Sequence, residues 1–128
     1  MGKKSKYQIS SSTNDGILEI ILTGEFIASA LEELQNNVSD IIEAKGAKNV
    51  LVDVRAFKGR ASVVETYISV RRPLPIRQKV NAAVVDLPEN AEIMSFLETT
   101  ALNAGWSLKC FTDIDAARAW LKGKQKKK

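Results

Sequence analysis

The sequence predicts a single α/β domain: a mostly parallel sheet of about five strands, one of them antiparallel, with about four helices. Three observations predict it. Short apolar runs alternate with segments of helical period in the order β-β-α-β-α-β-α-β-α. An Asp15-Gly16 step separates the first two strand-like runs, and both residues tolerate the positive φ of a tight hairpin. Helix-start signals, a serine followed three residues later by glutamate, occur at Ser29 and Ser62.

Taken in order, Tyr7–Ser11 is a short first strand and Ile17–Thr23, ended by Gly24, is its antiparallel neighbour. The box Ser29-Ala30-Leu31-Glu32 starts the first helix. Leu31, Leu34, Val38, Ile41 and Ile42 recur on one face of it, and Gly46 ends it as a left-handed cap. Val50–Val54 reads as a parallel strand covered on both faces. The box Ser62-Val63-Val64-Glu65 opens a second helix, whose buried face is expected to hold Val63, Tyr67, Val70 and Leu74, with Val64 and Ile68 beside them. Pro73 and Pro75 end or kink that helix near Arg72. Val80–Asp86 is the next parallel strand. A third helix follows Leu87-Pro88-Glu89-Asn90, carries Ile93, Leu97, Thr100, Ala101 and Ala104 on a narrow face, and closes at Gly105. Ser107–Phe111 is the last strand, and Thr112-Asp113 caps a final helix with Ile114, Ala117, Trp120 and Leu121 inward.

The boundaries are a basic N-terminus over residues 1–6, the domain over 7–121 and a lysine-rich tail over 122–128, both ends expected to be disordered. With 128 residues, 45% apolar and 27% charged, the chain has ordinary globular usage. The polar start lacks the apolar core of a signal peptide and no run is long enough to span a membrane, so the cytoplasm is the expected compartment. A single cysteine, Cys110, and no histidine leave no internal disulfide, no zinc cluster and no histidine-dependent catalysis; no cofactor or metal is expected.

The net charge of +4 belongs to the ends. Lys3, Lys4 and Lys6 with Lys122, Lys124, Lys126, Lys127 and Lys128 hold 8 of 19 basic residues, so 11 remain against all 15 acids and the body stands at −4. Cations on tails rather than on a folded face interleaved with aromatics argue against a nucleic-acid reader. Solvated ends are the plain reading, and weak, salt-sensitive contact with an anionic membrane surface or RNA the alternative.

The functional stretch is Asn49–Tyr67: a strand ending in Asp53 and Arg55, a basic loop with Lys58, Gly59 and Arg60, and a helix opened by Ser62. A strand that empties into a basic loop at a helix N-terminus is where α/β domains bind anions or partners. Arg55, Lys58, Gly59 and Arg60 are the candidate anion- or partner-binding residues, and Ser62 is the candidate for phosphorylation or partner contact. A phosphate there would meet the helix dipole and nearby cations; against this stands a Ser62 that only caps, with loop cations that are merely solvated. Arg71 and Arg72 are a secondary pair that could clamp a phosphate or simply lie in solvent. Asp53 and Asp86, at the ends of parallel strands, could do acid/base work, but bonding the backbone of their following loops explains both. Cys110 fits a buried, inert thiol.

VLVDVRAFKGRAS before the second helix and CFTDIDAARAWL at the end, with the element order, resemble the SpoIIAA-like branch of the STAS fold, relatives of the bacterial anti-sigma-factor antagonists that border on the SEC14-like lipid-binding group. The resemblance covers roughly Tyr7 to Leu121. It implies a non-catalytic regulatory or protein-interaction module. In those antagonists the loop after the third strand ends in Asp-Ser-Ser-Gly or a close variant, and a serine at the helix start is phosphorylated to switch partner binding. Ser62 falls near that serine, with Arg60 and Ala61 before it and Val63 and Val64 after it, so the motif's acidic residue and glycine are absent. The expected partner is a protein, a second copy of the chain included. The rival is a small apolar or lipid-like ligand. A lined apolar cavity between the second and third helices would favour the ligand, and an exposed helix start over a packed core would favour the protein.

Overall fold

The computed structural model describes residues 7–125, apart from the side chain of Gln78. The expected disorder of residues 1–6 and 126–128 concerns positions outside this description. Strands β1 (Tyr7–Asn14) and β2 (Ile17–Glu25) form the antiparallel hairpin. Asp15 at φ 54° and Gly16 at φ 80° make the turn between them, as the Asp-Gly step requires. β1 runs three residues past the predicted Ser11, because the polar Ser12, Thr13 and Asn14 pair by backbone with Glu19, Leu18 and Ile17 along an exposed edge.

Strand β3 (Asn49–Asp53) pairs parallel with β2, β5 (Asn81–Val85) with β3, and β6 (Ser107–Phe111) with β5, giving the order β1-β2-β3-β5-β6. The expected α/β fold, mostly parallel with one antiparallel strand, is therefore the fold observed. One element was not expected: β4 (Phe57–Lys58) pairs with Gly24 and Glu25 of β2, so two residues of the basic loop are a strand. Two residues are too few to show a period in sequence.

Helices α1 (Leu31–Lys45), α2 (Val63–Val70), α3 (Ala91–Asn103) and α4 (Ile114–Gln125) complete the domain. Strand alternation divides the core. Leu18, Ile20, Leu22 and Val50 meet Leu34 and Ile42 of α1 on one face, whereas Ile17, Leu51, Ala83 and Val85 meet Ala117 and Leu121 of α4 on the other. α2 and α3 lie on the α1 face, where Thr66, Ser69, Met94 and Leu97 surround Leu22, Val54 and Val84. Both faces are covered, as buried parallel strands require.

Two local expectations are corrected. Ser29 caps nothing: it lies within a single 3-10 turn, Ala28–Ala30, and Ala30 precedes α1 with no side-chain cap. The 3-10 turn puts Ser29 one residue ahead of the N-cap position, which Ala30 takes without a side-chain acceptor. Gly46, at φ 61°, does end the helix as read. At the other end, α4 continues to Gln125 rather than fraying at Lys122. Gln125 Nε2 donates to the Asp15 carbonyl at 2.8 Å and Lys122 lies 3.5 Å from the Asp15 carboxylate, tying that turn to the hairpin. Farther along the same face, Arg118 holds the buried Glu19 of β2 with two hydrogen bonds of 2.8 and 3.0 Å.

Candidate functional site

The loop after β3 is built on two arginine-carboxylate pairs. Asp53 accepts from the Arg55 backbone N–H at 3.1 Å and from its guanidinium at 3.0 and 2.8 Å. Arg60 reaches across to Asp86 at the end of β5, with Nε–Oδ2 at 2.9 Å and Nη2–Oδ1 at 2.6 Å, and its remaining donors take the carbonyls of Val54, Phe57 and Gly59. Asp86 also accepts from the Leu87 N–H and the Asn90 amide. Both carboxyls stay below the usual carboxylate range: Asp53 chiefly through the Arg55 hydrogen bond, and Asp86 despite burial, because Arg60, Leu87 and Asn90 all donate to it. Such acids are weak general bases. They also lie on opposite faces of the sheet, Asp53 in step with Leu51 toward α4 and Asp86 beside Met94 of α3, so they do not form an acid/base pair.

Of the four loop candidates, Arg55 and Arg60 are thus already neutralised. Gly59 serves the turn: its φ is 83° and a Cβ there would meet Phe26 at 3.4 Å. Lys58 is exposed and joins no ion pair among the described residues. Ser62 is an N-cap as the sequence indicates. Its Oγ accepts from the Glu65 N–H at 3.1 Å while Glu65 accepts from the Ser62 N–H at 2.8 Å, a complete capping box that already sets a carboxylate at the N-terminus of α2.

The rotation of α2 is the main departure from the sequence expectation. Val63, Val64, Tyr67 and Ile68 point outward, 54%, 65%, 47% and 60% exposed, whereas Thr66, Ser69 and Val70 are buried. Only Val70 of the predicted buried face is buried. The physical reason lies in the ties at the C-terminal end of the helix. Arg72 donates to Gln35 at 2.8 Å and Glu32 at 3.2 Å on α1, and Arg77 Nη1 donates to the Ser69 carbonyl at 2.9 Å. Ser69 satisfies its own hydroxyl on the Thr66 carbonyl, which lets a polar side chain face inward at little cost. The secondary pair is split: Arg72 is engaged with α1, while Arg71 is exposed and stacks 5.0 Å over the ring of Tyr67.

Beneath α2 the domain is not filled. An apolar cavity of about 290 Å3 lies between the sheet and α1, α2 and α3, and a neighbouring one of about 180 Å3 shares Leu22, Leu34, Val54 and Leu97 with it. Val52, Ala82 and Val84, central in the sheet, and Val54, just past β3, are only half-buried because they line this space. Its polar edge is Arg77, whose guanidinium sits 4.2 Å over Trp106 and has no carboxylate partner among the described residues. Burial, with Arg72 nearby, pulls the Arg77 pKa down to about 10, so it stays charged at neutral pH. The sequence reading missed Arg77 and Trp106; a lone arginine after a proline-rich turn carries no spacing that marks it.

With this geometry in hand, a family model described as SpoIIAA-like matches residues 17–122. The chain belongs to the SpoIIAA-like family. The resemblance read from VLVDVRAFKGRAS and CFTDIDAARAWL is the one found. Among solved structures, the fold of this SpoIIAA-like chain is similar to the crystal structure of an anti-sigma factor antagonist from Mycobacterium paratuberculosis, with TM-score 0.61, 14% identity, and 91% of this chain and 94% of that one covered. No curated protein matches the chain. No helix among the described residues is long and apolar enough to cross a membrane, and no cluster of three or more metal-ligating side chains occurs among them.

Proposed function

We propose that this SpoIIAA-like protein is a non-catalytic regulatory module that docks a protein partner on the outward face of α2. The observation that carries the reading is the reversed helix: four large apolar side chains, Val63, Val64, Tyr67 and Ile68, stand in solvent while Thr66 and Ser69 face inward. The exposed Arg71 stacks on Tyr67 of that face, and Lys58 is exposed in the loop that leads into the helix, so the complementary partner is an apolar surface with an acidic rim. Ser62 lies exposed at the start of the same helix; a phosphate on it would break the capping box and add charge beside the apolar face, which would weaken docking. Family membership supports a regulatory role, and the engaged, low-pKa Asp53 and Asp86 support a role without catalysis.

A photo-crosslinking residue placed at position 64, with position 102 on α3 as an exposed control, tests this in the native cell. The expected result is one protein adduct specific to position 64, through an acidic apolar segment, lost when Ile68→Glu is added. Equal adducts from both positions, or none from 64, would remove the docking face.

A second reading is favoured by a specific observation, the apolar cavity beneath α2: the domain binds a small apolar or lipid-like ligand there. At about 290 Å3 the cavity lies at the lower end of the range of small-molecule sites, roughly 300–1,000 Å3.

A further inference from the structure

We infer that the cavity under α2 takes a single-chain amphiphile, its tail against Val52, Ala82 and Val84 and its anionic head on Arg77 beside Trp106. The inference rests on the second reading above and is independent of docking on α2. Volume sets the tail. At about 30 Å3 per heavy atom, the liquid share of one water molecule, the larger cavity of about 290 Å3 holds a chain of about ten carbons. The adjoining space of about 180 Å3 extends that by about six more. Two acyl chains of a membrane phospholipid would need about twice what both spaces offer, so the ligand has one chain.

Charge sets the head. Apart from Arg71, which is exposed on the surface, the other arginines are matched: Arg55 with Asp53, Arg60 with Asp86, Arg72 with Glu32 and Arg118 with Glu19. Arg77 is instead held by carbonyls at the end of α2, those of Ser69, Val70 and Arg72, all through Nη1. Those dipoles and the Trp106 face stabilise the cation without neutralising it. A half-buried cation with dipoles but no counter-charge favours an anion that arrives with a ligand. Entry is consistent with this arrangement. Val70 and Trp106, which border the cavity, also border an open cleft that carries Arg71 and Arg72, so the charged end would lie toward solvent and the chain inward.

The test uses the built-in reporter. The two tryptophans lie on opposite faces, Trp106 at the cavity and Trp120 against α4's side of the sheet, so the full chain carrying Trp120→Phe reports from Trp106 alone. Titrations with decanoate, decyl phosphate and decanol are compared. The expected result is saturable quenching or shift of Trp106 fluorescence at one ligand per chain, with both anions binding at least ten-fold tighter than decanol. Preference between the two anions distinguishes a carboxylate from a phosphate head. Ala82→Leu, whose three added carbons take about a third of the larger cavity, weakens all three at least ten-fold; Arg77→Met removes the advantage of the anions, so that decanoate and decyl phosphate bind no tighter than decanol. Should Arg77→Met fail to fold, the anion-to-alcohol comparison in the parent protein decides the same point. Decanol binding as tightly as decanoate would overturn the role of Arg77 while sparing the apolar-ligand reading. No response to any of the three, or binding untouched by Ala82→Leu, would overturn both.

Discussion

The Arg60 guanidinium grips the Asp86 carboxylate through two charge-assisted hydrogen bonds, 2.9 and 2.6 Å, joining the loop after β3 to the end of β5. The Asp86 side chain is 3% exposed and that of Arg60 18%, so water has little access to the carboxylate. Arg60→Met therefore strands a buried carboxylate and is expected to cost about 3–5 kcal/mol, read as a lower urea midpoint. Adding Asp86→Asn to that variant should recover part of the loss, since the uncompensated charge goes with it. Equal stability of Arg60→Met and the parent would show that the pair does not clamp the loop.

The same carboxylates set the acid limit of the fold. Asp86 and Asp53 have folded pKa values below their unfolded ones. Their contribution is therefore complete above the unfolded carboxyl pKa of about 3.9 and is lost as pH falls from there through the lower folded values. With no histidine in the chain, side chains give little reason for a change between about pH 5 and 8. Thermal melts are expected to hold a level Tm across that window and to drop below about pH 4. Asp86→Asn should start lower at neutral pH and lose less on acidification.

Much of this architecture was legible in the chain. Apolar runs marked β2, β3, β5 and β6, Asp15-Gly16 marked the hairpin, and Ser62 with Glu65 marked the start of α2, because each signal is local and its partners lie within a few residues. The identical-looking box at Ser29 failed because what decides it is the path of the chain into the helix, which a 3-10 turn redirects. The loop cations were legible as residues but not as pairs, since Arg60 meets Asp86 across 26 positions. The rotation of α2 was hidden for the same reason. Its eight residues carry apolar side chains on more than one face, and Arg72, bonded to Gln35 37 positions away, helps choose which face turns in.

That rotation makes α2 behave unlike an ordinary amphipathic helix under mutation. Val64→Ser and Ile68→Ser remove large apolar groups already in water, so each should change stability by no more than about 0.5 kcal/mol. Ser62→Ala removes a cap from a helix of only eight residues and should cost about 1 kcal/mol, whereas Ser62→Asp keeps an acceptor at the same place and should cost less. Chemical denaturation of the four variants separates these outcomes. A loss of 2 kcal/mol or more from Ile68→Ser would mean that this face packs inward after all.

Cys110 offers an independent reading of how closed the α3 side of the domain is. The thiol lies behind α3, with Sγ 3.5 Å from the Met94 carbonyl and the Cys110 N–H donating to Glu98 at 2.8 Å. Burial first, and then the nearby charges of Glu98 and Asp86, push its pKa up to about 12. Since the thiolate is the reacting species, almost none is present at pH 8 in the folded chain, whereas an unfolded thiol near pKa 8.5 is partly ionised there. Alkylation by iodoacetamide at pH 8 is therefore expected to be slow in buffer and to accelerate at least a hundred-fold in denaturing guanidinium. Glu98→Gln, which removes one of the charges, should raise the folded-state rate without changing the denatured one. Rapid labelling of the folded protein would mean that α3 opens readily from β6, and the cavity it helps to close would then be open to solvent as well.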